Sequence, residues 1–188
     1  MPAYALLLRG INLVRHNRIA MAELRRVLEG AGLAGVQTYI QSGNVLVDSA
    51  PEDLAEAGPP AAAARADLIG ARAEQALARH GLKNVSVTAL AWDRLQELAE
   101  GAPWPEFDPG AERAIGIFLR EPTPRGAQLV GEHGPLRVVH AEPEVLLGLV
   151  RRGDPRGYDV TKVVEKRLGT PATVRFWSVV EDWVRTCS

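Results

Sequence analysis

The densest chemistry in the chain lies between residues 9 and 18, where Arg9, Asn12, Arg15, His16, Asn17 and Arg18 follow one another with no acidic residue before Glu23. A guanidinium offers a planar fork of donors and a carboxamide offers neutral donors. Together they suit the acceptor-only oxygens of a carboxylate or phosphate. A second polar group, Gln41, Ser42 and Asn44, comes after an intervening apolar stretch. His16 adds a ring that can give or take a proton near neutral pH, so acid–base chemistry at the same place is a second reading. The third is structural. Ser42-Gly43-Asn44 has the composition of a turn, Asn12 can satisfy loop backbone, and Arg9 can pair with an acid.

Which reading holds depends on the elements that carry these residues. Ala3–Arg9 is apolar on both faces, as a central strand would be. Met21–Ala31 repeats Met21, Leu24, Val27 and Leu28 on one helical face. Val36–Gln41 and Val45–Asp48 read as strands joined by a tight turn at Ser42-Gly43-Asn44. Ala50–Ala66 is rich in Ala, Pro and Glu and reads as an exposed connector. Leu68–His80 reads as a helix using Leu68, Ile69, Ala73, Ala76 and Leu77, and Val85–Ala91 as a strand. The order βαββαβ predicts a ferredoxin-like lobe, with strands in the spatial order 4-1-3-2 and both helices on one face. In that order the end of the first strand lies beside the start of the third. Arg9 and Asn12 are therefore expected to approach Ser42 and Asn44.

The remainder repeats the pattern more loosely: a helix from Trp92, a turn-rich Gly101–Gly110, and a strand over Ala114–Arg120. A strand pair Leu136–Ala141 and Val145–Val150, a helix Val160–Leu168 stopped by Gly169, a strand Thr173–Phe176 and a helix from Trp177 complete it. The fold class expected is α+β, a ferredoxin-like N-terminal lobe (1–91) packed on a second, related α+β lobe (92–188). Between Arg151 and Arg175 seven basic residues stand against three acids. Lys162 and Arg175 are the ones expected to face the early cluster. A solvated helix face is the plainer reading of that stretch.

Composition narrows the function classes. The chain has 188 residues, 46% hydrophobic and 24% charged, with a net charge of −1. No global field draws it to nucleic acid or membrane. No stretch approaches the roughly 20 apolar residues of a membrane helix. Cys187 is the single cysteine, which suits a reducing cytoplasm. His16, His80, His133 and His140 are scattered without metal-ligand spacing, so no metal is expected. No Walker loop, dinucleotide fingerprint or nucleophile elbow is present, and no cofactor is expected. Base-stacking aromatics are sparse on the central strands, which speaks against sequence-specific RNA binding. The four tryptophans read as packing anchors.

Leu7–Met21 (LLRGINLVRHNRIAM) and Thr38–Val47 (TYIQSGNVLV) resemble the opening and the hairpin of a bacterial family known as domain of unknown function 1697. Pro103–Pro109 and Glu165–Trp177 echo two later segments of that family. The chain departs at Val14-Arg15, Ala20, Gly157-Tyr158 and Phe176. The resemblance implies a two-lobed α+β fold and a cytoplasmic bacterial protein, and it implies no activity. The leading expectation is a non-catalytic binding or regulatory module for an anionic small molecule or partner, built on Arg9, Asn12, His16, Asn17, Arg18, Gln41, Ser42 and Asn44. An enzyme with a site around His16 and Arg9, and a homodimeric interaction protein, are the alternatives.

Overall fold

Strand β1 (Tyr4–Arg9) is buried on both faces up to Arg9, and this fixes it at the centre of a sheet. The computed structural model describes residues 3–13, 16–41, 43–48, 62–153 and 159–187. In it β1 pairs antiparallel with β3 (Asn44–Val47) on one side and β4 (Ser86–Ala91) on the other. β2 (Gln37–Tyr39) flanks β3, so the order is β2-β3-β1-β4, as the βαββαβ pattern predicts. Helix α1 (Met21–Glu29) buries Leu24 and Leu28, and α2 (Ala62–Arg79) buries Ala66, Ile69, Ala73 and Leu77. Those side chains join Tyr4, Leu6, Leu8, Val45, Val47, Val87 and Ala89 in one core, so both helices cover the same face.

Two local readings of this region are corrected. Helix α2 begins at Ala62, inside the stretch read as a connector, and its inward face uses Ala66 while Leu68 is 43% exposed. An alanine-rich turn has little amphipathic contrast, so sequence periodicity registers it only where larger side chains begin. The rest of the proposed connector, residues 50–61, lies outside the described residues. The hairpin turn also falls earlier than expected. Asn44 is already in β3, opposite Tyr39, and the reversal runs from Ile40 to Gly43. Ile40 takes a left-handed φ of 48°, a conformation its branched side chain disfavours and its sequence does not announce.

Helix α3 (Trp92–Gly101) follows β4 without a loop. The chain divides into two units, Met1–Gln96 and Glu97–Ser188. The second holds β5 (Glu112–Leu119), β6 (Gly131–His133), β7 (Leu136–Ala141), β8 (Val145–Arg151) and β9 (Ala172–Phe176) in the antiparallel order β6-β7-β8-β5-β9. Without the edge strand β6, this is the order of the first sheet. Where the first unit has α1, the second has a 3-10 turn, Pro124–Leu129, and β6. Thr123 caps the turn by accepting from the Arg125 N–H at 3.3 Å, and Pro124 sits in its first turn, where a missing N–H costs nothing. Strand β6, three residues at an edge, was absent from the sequence reading, and β5 starts two residues before the expected Ala114.

Helix α4 (Val160–Leu168) links β8 to β9, as α2 links β3 to β4. It buries Val164 and Leu168 against Ile115, Ile117, Leu129, Val138 and Leu146. Asp159 caps it, accepting from the Lys162 N–H at 3.2 Å and from the Thr161 hydroxyl, and Gly169 closes it. Helix α5 (Trp177–Cys187) follows β9 directly, as α3 follows β4. In both places the helix opens on a tryptophan, Trp92 at 3% and Trp177 at 2% exposure. The fold is α+β, two antiparallel sheets with helices. Among the described residues no helix is long and apolar enough to cross a membrane.

Candidate functional site

The loop after β1 is held by its own asparagines. Gly10 opens it at φ 90°, with a Cβ there falling 2.8 Å from the Asn84 carbonyl oxygen, so only glycine lets the loop lie this close. Asn12 and Asn17 both adopt left-handed φ, 52° and 53°. The Asn12 N–H donates to the Asn17 carbonyl at 2.8 Å, and the Asn12 side-chain oxygen accepts from the Ile19 N–H at 2.9 Å. Its amide nitrogen reaches the Gln41 carbonyl at 3.5 Å. Asn17 bridges to the α2–β4 turn. Its amide donates to the carbonyls of Gly10 at 2.7 Å and Lys83 at 2.5 Å, and its oxygen accepts from the Lys83 N–H at 3.0 Å. Ile11 and Ile19 pin the same loop to the core. The bracing role of Asn12 and Asn17 is therefore filled.

Beside this loop lies a depression of about 500 Å³ lined by Asn12, Arg18, Ile19, Ala20, Met21 and Gln41. Ile19, Ala20 and Met21 lead into α1. Ala20 stands at the cap position and has no side-chain acceptor for the first-turn N–H groups, so the positive end of the helix is left without a side-chain cap. Glu23 in that first turn is engaged with Arg26 at 2.8 Å and approaches His80 at 3.8 Å. The arrangement combines a guanidinium, two carboxamide residues and a helix N-terminus around one concavity, donors suited to anionic oxygens.

The residues singled out in the sequence separate into groups. Asn12, Arg18 and Gln41 share the depression. Arg9 and Asn44 lie on the face of the first sheet away from α1 and α2: Asn44, 1% exposed, sits opposite Leu7, and Arg9 lies two residues further along the same face. His16 is exposed, donates its backbone N–H to Leu13 at 3.3 Å, and does not line the depression. Arg15 and Ser42 lie outside the described residues. Lys162 and Arg175 belong to the second unit. Lys162 is exposed, 3.5 Å from Asp159. Arg175 donates to the Val174 carbonyl at 3.0 Å, and burial pushes its pKa down to about 10, so it stays cationic at neutral pH. The sequence reading missed Ile19, Ala20 and Met21, which line the depression where the chain enters α1. The available signal was the absence of Ser, Thr, Asp or Asn immediately before the apolar period of α1.

No curated protein matches the chain. Among solved structures it is similar to the conserved bacterial protein SP0830 from Streptococcus pneumoniae, with a TM-score of 0.58 at 20% identity, covering 97% of this chain and 98% of that one. That likeness shows the fold. A family profile described as protein of unknown function (DUF1697) matches residues 1–135, and the chain belongs to that family.

Proposed function

We propose that the protein is a non-catalytic binding module that takes up an anionic small molecule in the depression at the start of α1. The observation that carries this reading is the meeting of Arg18 with a helix N-terminus that lacks a side-chain cap, in one concavity with Asn12 and Gln41. Its volume, about 500 Å³, is of small-molecule size. Its lining favours binding over turnover. Asn12, Arg18, Ile19, Ala20, Met21 and Gln41 include no hydroxyl or thiol nucleophile, no histidine and no carboxylate. His16, the residue on which acid–base chemistry would rest, is not among them.

The test is the melting temperature against inorganic phosphate at constant ionic strength. A ligand at about ten times its dissociation constant adds roughly 1.4 kcal/mol to the native state. At about 2–4 °C per kcal/mol for a chain of this size, the midpoint rises by roughly 3–6 °C. Arg18→Gln removes the rise, read as the difference between its own midpoints with and without phosphate. A wild-type midpoint that stays flat across a series of phosphate, sulfate and dicarboxylates defeats the proposal. So does an Arg18→Gln variant that responds like wild type.

A further inference from the structure

The second unit has an aromatic concavity that the anion reading does not use. It is about 500 Å³ in volume, and Trp104, Phe107, Phe176 and Trp177 line it, with Arg113 and Arg152. The floor is built from both ends. Trp177 opens α5 and lies over Gly116 of β5. A Cβ at Gly116 would fall 3.0 Å from the Trp177 ring and 2.8 Å from Phe118, so the glycine lets the indole settle onto the sheet. Trp104 meets Trp177 edge-on, centroids 5.5 Å apart at 68°, and Phe107 lies 6.5 Å from Trp104. Asp108 accepts the Gly110 N–H at 2.7 Å and so folds back the segment that presents Phe107.

Three features distinguish this cluster from ordinary packing. Phe176 is 46% exposed, with the Arg113 guanidinium 4.9 Å above its ring. The indole N–H groups of Trp104 and Trp177 are shielded from solvent and meet no acceptor among the described residues. The charge balance is also biased. The Glu112 carboxylate is taken by Arg137 at 3.2 Å, so Arg113 and Arg152, the latter donating Nε to the Glu112 carbonyl at 3.3 Å, outnumber Glu181 among the remaining charged lining residues, and Trp177 and Ser178 add the positive end of α5.

We infer that this concavity binds a small ligand in which a flat ring is joined to an anionic group, the chemistry of a mononucleotide. The exposed ring of Phe176, with Trp104 and Phe107 beside it, stacks the flat ring, and Arg113 and Arg152 take the charge. It shares no lining residue with the depression beside α1.

The test is titration of the full chain with adenosine 5′-monophosphate, followed by tryptophan fluorescence and by calorimetry. Adenosine, inorganic phosphate and a single-stranded oligoadenylate are the comparison arms. The expected result is saturable quenching by the monophosphate, at least tenfold weaker binding of adenosine, and no quenching by phosphate. Arg113→Gln with Arg152→Gln removes that tenfold preference while adenosine binding persists. Phe176→Ala, at a 46% exposed position, weakens both ligands by at least threefold. Arg18→Gln changes none of these values, so failure here and failure at α1 are separable. Absence of saturable quenching by the monophosphate overturns the inference. So does equal response to phosphate alone, and so does an oligoadenylate bound more than tenfold tighter per site, which would make a strand the ligand.

Discussion

Asn17 is the residue whose removal most directly tests how the early loop is held. Its amide donates to Gly10 and Lys83 and its oxygen accepts from Lys83, three bonds at 2.7, 2.5 and 3.0 Å. It also occupies a left-handed φ of 53°. At a net value of roughly 1 kcal/mol per bond, discounted because Lys83 is exposed, losing the side chain costs about 2 kcal/mol. A left-handed residue with a Cβ and no local hydrogen bond costs about 1 kcal/mol more. Asn17→Gly removes the bonds and relieves the backbone, so it is expected to lose about 2 kcal/mol, while Asn17→Ala loses about 3 kcal/mol. Asn17→Asp keeps the acceptor for Lys83 but turns a carboxylate oxygen toward the Gly10 and Lys83 carbonyls in place of the donating amide, so it is expected to be no more stable than glycine. Urea unfolding followed by circular dichroism gives the three values, and hydrogen exchange at Lys83 locates the loss. Alanine within about 0.5 kcal/mol of wild type would refute the bracing role. Glycine less stable than alanine would refute the backbone share.

Asp159 is held below its ordinary carboxyl pKa, first by the Thr161 hydroxyl and then by the Lys162 N–H and ammonium, with burial opposing. A lowered folded-state pKa means the contribution is present above the unfolded value and is lost as pH falls through the folded one. Asp159→Ala is therefore expected to cost about 1 kcal/mol at pH 7, with the gap closing below about pH 4. An equal gap at pH 7 and pH 3 in urea titrations would contradict this. Gly116→Ala places a methyl group 2.8 Å from the Phe118 ring and 3.0 Å from Trp177. Overpacking of this kind costs about 1–3 kcal/mol, and a calorimetric midpoint unchanged from wild type would show that the rings yield freely.

Strand β1 was legible because an apolar run without alternation has one common explanation, a strand covered on both faces. Once β1 was central, the order of the first sheet followed from connection rules. Leu24 and Leu28 marked α1 by their spacing. The beginning of α2 was not legible, since alanine on an inward face looks like alanine anywhere. Gly43 and Asn44 carry the turn chemistry, whereas a left-handed backbone falls on Ile40, so composition points to a later reversal than the chain makes. The polar cluster was visible as composition, but its partition was not. Asn17 finds its partner at Lys83, far along the chain, and no local pattern reports that bond. The depression brings Gln41 beside Asn12, Arg18 and the start of α1, a juxtaposition across more than twenty residues that no local pattern encodes.

The repeated strand order has a bearing on ancestry. Two halves that share β2-β3-β1-β4 and β7-β8-β5-β9, each running from its last strand into a helix that opens on tryptophan, have the form of an internal duplication. The copies differ most at the first crossover, a nine-residue helix in one and a 3-10 turn with an edge strand in the other. That crossover lies outside the four shared strands, so the strand order is the same with either form of it. A frame repeated in this way carries two different concavities on one plan, one at a helix start and the other at an aromatic floor. The common frame then need not change for either to evolve.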